Sequence, residues 1–203
     1  MTLDDFRGVA GVVTEPLSAL AEKTGISPNQ LSAMSLVFAG IASAFYYLSA
    51  YDKSMLYAAA LMVLMNAIFD AADGSLARRT RKADLKGDFL DHAIDRYADM
   101  FFLGGIIFAG YAPWPVGLLT VIGVFLTSYI GAQAQALQLG RYYGGMMGRA
   151  DRLVMIFLAT LGNAAYPYSI AGLPILGWVL VATMISSHIT ALQRFHHIWQ
   201  KLS

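Results

Sequence analysis

The chain has 203 residues, 57% of them hydrophobic and only 13% charged, with a formal net charge of +1 and no cysteine. A charged fraction about half the roughly 25% of soluble domains puts the chain in the membrane class and argues against an ordinary soluble enzyme. The near-zero net charge offers no field for nucleic acid, and the missing thiols exclude disulfides, thiolate catalysis and zinc–thiolate sites without fixing a compartment.

From the N-terminus, residues 2 to 24 put Leu3, Phe6, Val9, Val13, Leu17 and Leu20 on one helical face, at three- and four-residue steps. Asp4, Asp5, Arg7 and Lys23 fall elsewhere, so the segment is too mixed to span and is expected to lie along the interface, bent at Pro16. Asp4, Asp5, Glu15 and Glu22, without a compact apolar core, also argue against a cleavable signal peptide. Gly25 followed by Ser27-Pro28-Asn29 marks a stop and a new helix start.

Spans of about 20 mostly apolar residues are expected at 30–50, 54–77, 88–110, 114–138, 151–168 and 171–196. The fifth is the weakest, because Asn163 and Pro167 interrupt it. The expected architecture is all-α and integral to the membrane, a single domain over 1–203. An interfacial amphipathic helix occupies 1–26, and a bundle of six transmembrane helices occupies 27–203.

With six spans, thirteen of the fourteen Lys and Arg residues fall on one side, and only Lys53 on the other. Arg7 and Lys23 precede the first span; Arg78, Arg79, Arg81, Lys82, Lys86 and Arg96 surround the second connection. Arg141, Arg149 and Arg152 lie in or beside the fourth, and Arg194 and Lys201 end the chain. Basic residues mark the cytoplasmic side. Both termini and the second connection are therefore expected to face the cytoplasm from a multi-pass protein of the cell membrane.

Chemistry is expected at that second connection. Residues 65–95 read MNAIFDAADGSLARRTRKADLKGDFLDHAID and set Asp70, Asp73, Asp91 and Asp95 into apolar sequence. Carboxylates are costly at membrane depth and mark function there. The first two are three residues apart and the last two four apart, so each pair shares a helix face. Two helices joined by a short basic connection would bring all four together. Like charges so placed repel unless cations sit between them. Carboxylate oxygens suit hard divalent ions, and a pair of such ions could clamp phosphate oxygens. Gly74 and Gly87 would allow close approach, and Arg78 could meet a phosphate. Plain salt bridges to the neighbouring basic residues suit Asp84 and Asp88 better than these four acids. Asp99 continues the Asp91–Asp95 stripe and stays open between the two readings.

The spacing D-x2-D-G-x2-A-R-x8-G-x3-D-x3-D, from Asp70 through Gly74, Ala77, Arg78 and Gly87 to Asp95, resembles the hallmark of the CDP-alcohol phosphatidyltransferase family without a departure. The resemblance implies a six-helix membrane enzyme, usually a homodimer. Such enzymes transfer a phosphatidyl or archaetidyl group from a CDP-linked lipid to an acceptor hydroxyl and release CMP. It implies that Asp70, Asp73 and Asp91 ligate two divalent cations, Mg2+ or Mn2+. It further implies that Asp95 is the catalytic base and a further metal ligand, and that Asp70, Gly74, Ala77, Arg78 and Gly87 bind CDP.

Three further segments, Ser128-Tyr129-Ile130, Gly148-Arg149-Ala150-Asp151-Arg152-Leu153 and Gln193-Arg194-Phe195-His196, resemble the branch of phosphatidylinositol phosphate and archaetidylinositol phosphate synthases. That resemblance implies inositol 1-phosphate as acceptor, with Arg149, Arg152 and Arg194 on its phosphate. Positive-inside anchoring is the plainer reading of each arginine. The chain departs from the branch at Gly131-Ala132-Gln133-Ala134-Gln135, where a K/R-A-R-A-E-like run is usual. Glycerol 3-phosphate or another polar alcohol therefore stays open as acceptor.

The remaining candidates read as structural. His92 suits a helix surface, His188 a satisfied bundle position, and His196 and His197 the interfacial end of the last span. Trp114 and Trp199 read as interface anchors, and Gly104-Gly105 and Ala109-Gly110 as surfaces for close helix packing, including a dimer contact. Membrane prenyltransferases also bind diphosphates through aspartates, but they need a second Asp motif, and after Asp99 the only acid is Asp151. A membrane cation transporter, the distant alternative, calls for acids at the midplane and broken helices in paired halves.

Overall fold

The computed structural model describes residues 7–80, 85–140, 142 and 144–202, with side chains from Thr14 onward. Leu3 and Phe6 of the expected amphipathic face, the side chains of Val9 and Val13, and Arg81, Lys82, Asp84 and Arg141 lie outside the described residues. Among the described residues seven helices follow one another: α1 (Arg7–Thr24), α2 (Pro28–Leu48), α3 (Met55–Arg79), α4 (Leu85–Phe108), α5 (Trp114–Ala136), α6 (Arg149–Ala165) and α7 (Ile175–Leu202). They group into two compact units, Met1–Gly105 and Ile106–Ser203.

Local chemistry sets the helix ends. Gly25, with φ +75°, turns the chain out of α1. Ser27 then caps α2: its Oγ accepts the Gln30 N–H, and Gln30 Oε1 accepts the Ser27 N–H at 2.8 Å. Before α3, Asp52 accepts both the N–H and the hydroxyl of Ser54, which hold its carboxyl below the usual carboxylate range. Asp151 caps α6 by accepting the Gly148 N–H at 2.9 Å. Asn163 does not interrupt that helix. Its Oδ1 accepts the Leu176 N–H at 3.1 Å, tying α6 to the first turn of α7. The last helix starts at Ile175 rather than 171, because Ala171 (φ 48°) and Gly172 (φ 85°) form a tight turn.

Among the described residues four helices, α2, α3, α5 and α7, are long and apolar enough to cross a bilayer. By that measure α4 and α6 fall short: α4 carries Lys86, Asp88, Asp91, Asp95, Arg96 and Asp99, and α6 is only 17 residues long. The pattern of exposure fits lipid. On α2 the middle of the buried face is Ser32, Ser35, Ala39 and Ala42, with Leu31 and Tyr46 buried at its two ends, while Val37 and Leu48 are exposed. Small residues inside and large apolar ones outside is how helices pack where lipid, not water, is the solvent. The chain is an α-helical membrane protein.

In the first unit, Asn66 Nδ2 on α3 donates to the Ser35 carbonyl on α2 at 2.9 Å. The N-terminal helix, expected only to lie along the interface, is docked on α3. Leu17 and Ala21 pack with Phe69, Ala72 and Leu76, and the buried Ser18 hydroxyl donates to the Ala72 carbonyl at 3.0 Å. Arg79 closes the contact with Glu15 at 3.3 Å and Glu22 at 3.1 Å. In the second unit, α5 and α7 are stitched by Thr120 to the Leu180 carbonyl at 3.0 Å and Thr127 to the Ser187 carbonyl at 2.9 Å. His188 Nε2 lies 3.1 Å from the Leu119 carbonyl, so this histidine is a satisfied bundle residue, as expected.

Gly105 of α4 faces α2 of the same chain, and a methyl group there would stand 2.8 Å from the Ser43 backbone. Gly105→Ala should therefore push α2 and α4 apart and destabilise the fold by about 1–3 kcal/mol. Gly40→Ala, whose new methyl would meet nothing nearer than Phe101 at 4.0 Å, should be tolerated. Thermal unfolding of both variants in the same detergent checks the contrast.

Candidate active site

The whole acid motif lies in the first unit, on two helices. The last turns of α3 carry Asp70, Asp73, Gly74, Ala77 and Arg78, and the first turns of α4 carry Gly87, Asp91 and Asp95. Three- and four-residue spacing points each pair of acids to one side of its helix, as the sequence implies. One carboxylate oxygen each from Asp70, Asp91 and Asp95 lies within 4.8 Å of the other two, and all three residues are half-buried. Two like charges at about 5 Å repel by roughly 3–4 kcal/mol at an effective dielectric near 20. Three all-oxygen donors at this spacing fit a hard divalent cation, which would turn the repulsion into attraction.

Asp73 takes a different position. It is buried, 6% exposed, and accepts a hydrogen bond from the Ser32 hydroxyl of α2. Asp73 and Asp91 both line a cleft of about 220 Å3. Gly74, Ala77 and Arg78 form one wall and Gly87 and Asp88 another, while Pro28, Asn29 and Ser32 close it from the start of α2. Arg78 lies back along its own helix into the cleft, with its Nη1 within ordinary contact distance, 3.4 Å, of where a methyl at Gly74 would stand.

Beside the triad, Arg96 bridges two acids, reaching Asp95 at 3.5 Å and Asp99 at 3.4 Å. Asp99, only 2% exposed, is thus a paired buried acid. A buried carboxylate left without such a partner is strongly destabilising. His92 turns its Nδ1 to the Asp88 carbonyl at 2.6 Å, a contact within its own helix.

The structure thus brings Asp70, Asp91 and Asp95 together, and gathers Asp73, Gly74, Ala77, Arg78, Gly87 and Asp91 around one cleft. Arg149, Arg152 and Arg194 belong to the second unit. Arg152 is 3% exposed, and Arg194 donates to the carbonyls of Gly144 and Thr127 at 2.8 and 2.9 Å. Sequence reasoning missed Ser32, Asn29 and Arg96. The Ser27-Pro28-Asn29 signal located the helix start that carries the first two, but nothing local places them opposite residues some forty positions on. Arg96 stands next to Asp95 and three before Asp99, so its pairing was available from helical spacing alone.

An all-helical membrane protein with a hard-oxygen triad beside a cleft defines the class of an enzyme working on a metal-bound, charged substrate. The chain belongs to the CDP-alcohol phosphatidyltransferase family, whose model matches residues 25–189. It is similar to archaetidylinositol phosphate synthase of Pyrococcus horikoshii, 35% identical over 193 residues, which are 94% of each chain. It is also similar to phosphatidylinositol phosphate synthase of Streptomyces avermitilis, 26% identical over 197 residues, covering 90% of this chain and 76% of that one. Its fold matches a crystal structure of Mycobacterium tuberculosis phosphatidylinositol phosphate synthase in complex with manganese and citrate. That match has a TM-score of 0.77 at 25% identity and covers 92% of this chain and 88% of the other.

Ser32→Ala removes the donor that orients Asp73, and loss of such a supporting contact typically costs about 10- to 100-fold in metal affinity or activity. Ser32→Thr keeps the hydroxyl and should retain most of the activity. Turnover as a function of Mn2+ concentration for both variants checks this.

Proposed function

We propose that this enzyme transfers a phosphatidyl or archaetidyl group from a CDP-linked lipid to inositol 1-phosphate, releasing CMP. The observation that carries the reading is the Asp70–Asp91–Asp95 oxygen cluster, within 4.8 Å, beside a cleft lined by the rest of the motif. Its membership of the family supports the reaction, and its similarity to two inositol phosphate synthases supports the acceptor.

Two divalent cations, Mg2+ or Mn2+, would be held by Asp70, Asp73, Asp91 and Asp95. When bound they neutralise the donor diphosphate and make its β-phosphorus electrophilic. The manganese in the Mycobacterium tuberculosis relative supports this assignment. Asp70, Gly74, Ala77, Arg78 and Gly87 bind the CDP moiety, Arg78 through its fork of N–H donors. Asp95 takes the proton of the acceptor hydroxyl, whose oxygen then attacks the β-phosphorus. The bond between that phosphorus and the bridging oxygen breaks, and the oxygen leaves on CMP. Arg149, Arg152 and Arg194 receive the acceptor phosphate. Gly131 and Gln133, uncharged, keep glycerol 3-phosphate or another polar alcohol as the second reading.

In the membrane, α4 and α6 complete a six-span bundle of one domain, with α1 at the interface. The distribution of Lys and Arg supports a cytoplasmic active site and cytoplasmic termini. The working form is a homodimer.

CMP release from a CDP-linked lipid with Mn2+ tests the reading, using inositol 1-phosphate, glycerol 3-phosphate, serine and free inositol as acceptors. Turnover with inositol 1-phosphate alone is expected; turnover with another acceptor alone would replace the acceptor assignment. Asp91→Asn should cut turnover by about 1,000-fold or more with the fold intact, because both proposed metal positions lose a ligand. Wild-type turnover in that variant would remove Asp91 from the site. Asp95→Asn should lower turnover by about 100- to 10,000-fold, the contribution of a general base, with a smaller loss of donor affinity. Equal losses of both would make Asp95 a metal ligand and not the base.

A further inference from the structure

The acid stripe of α4 does not end with the triad. Asp99 follows Asp95 by four residues, one turn further along the same face, and is 2% exposed. The next buried side chains along the helix, Phe102, Leu103 and Ile106, are apolar. A carboxylate this deep in a span is costly and marks a purpose, yet the transfer reaction itself has no use for it.

What Asp99 holds is Arg96. Arg96 Nη1 lies 3.4 Å from Asp99 Oδ2, and its Nη2 lies 3.5 Å from Asp95 Oδ2, so the two arms of one guanidinium point to two different acids. An arginine beside a carboxylate commonly closes on it with both arms, fork to fork. Here the fork is split. The split matters because Asp95 shares its triad with Asp70 and Asp91, one oxygen of each within 4.8 Å of the others. Three carboxylates so close attract any cation in reach, and Arg96, next to Asp95 in the chain, is such a cation. With both arms on Asp95 it would tie up one of the triad's oxygens and weaken the pull of the rest on a metal ion.

We propose that Asp99 is a positioning residue that tethers Arg96 outside the carboxylate triad, so that Asp95 stays available to a divalent cation and to the acceptor hydroxyl. Tethered, Arg96 touches Asp95 with one arm and steadies it. Untethered, it competes with the cation for the same carboxylate. The proposal rests on the reading of Asp70, Asp91 and Asp95 as metal ligands.

The test is Mn2+ binding to the purified protein, read by electron paramagnetic resonance of the unbound ion, with turnover measured against Mn2+ concentration. Asp99→Asn frees Arg96 and keeps the size of the side chain. It should weaken Mn2+ affinity by about 10- to 100-fold, the usual effect of losing a group that supports a metal ligand. More metal overcomes a competitor, so turnover at saturating Mn2+ should return to the wild-type value. Arg96→Gln combined with Asp99→Asn removes competitor and tether together and should regain wild-type Mn2+ affinity. Asp99→Ser makes the same comparison if Asp99→Asn does not fold. Wild-type Mn2+ affinity in Asp99→Asn would overturn the proposal. So would a weakened affinity that persists in the double variant, or a turnover that stays low at saturating Mn2+; either would make Asp99 a metal ligand or a structural support. Failure of the underlying reading looks different: wild type and Asp91→Asn would then bind Mn2+ alike, whatever Asp99→Asn does.

Discussion

The mutual repulsion of the Asp70, Asp91 and Asp95 carboxylates, with oxygens within 4.8 Å of one another, is the constraint around which the first unit is arranged. Two helices bearing like charges do not approach on their own; other contacts must bring them together and hold the acids in reach of a shared cation. On one side α2 does this, through the Asn66–Ser35 and Ser32–Asp73 hydrogen bonds and the close approach of Ser43 to Gly105. On another, α1 covers the back of α3, with Ser18 bonded to the Ala72 carbonyl, which sits between the two α3 acids in sequence. Each contact is modest alone, of the order of 1 kcal/mol for a neutral hydrogen bond. Together they fix the rotation of α3, and so the aim of its carboxylates. Preorganised oxygens of this kind favour a hard cation by sparing it the work of gathering its own ligands.

Much of this was legible in the sequence, and the parts that were not share one cause. Helix positions followed from apolar length and from punctuation such as Gly25 and Ser27-Pro28, because these are local properties. The approach of Asp70, Asp91 and Asp95 followed from helical spacing, whereas Asp73, expected with them, is held by Ser32. Asn163 misled because a polar residue in an apolar run reads as a break, whereas its partner, the Leu176 amide, lies thirteen residues on. The α1–α3 docking was hidden for the same reason, since Arg79 meets Glu15 and Glu22 across 64 and 57 positions. Ser32 meets Asp73 across 41. No periodicity reports a contact at such separations.

The second unit shows what replaces the hydrophobic effect between helices in lipid. Thr120, Thr127 and His188 each place a side-chain polar atom against a carbonyl of the facing helix, and Gly117 and Gly123 let the facing side chains of Ile107 and His188 come close. Arg194 extends the same device from helix to loop. Its Nε and Nη1 hold the carbonyls of Gly144 and Thr127.

The most direct measurement is low-temperature electron paramagnetic resonance of the purified chain titrated with Mn2+ in the presence of a CDP-linked lipid. Two bound, mutually coupled Mn2+ ions per chain are expected, with the coupling lost in Asp91→Asn. No bound Mn2+, or the same spectrum in wild type and Asp91→Asn, would contradict the assignment of the carboxylate cluster as a dimetal centre.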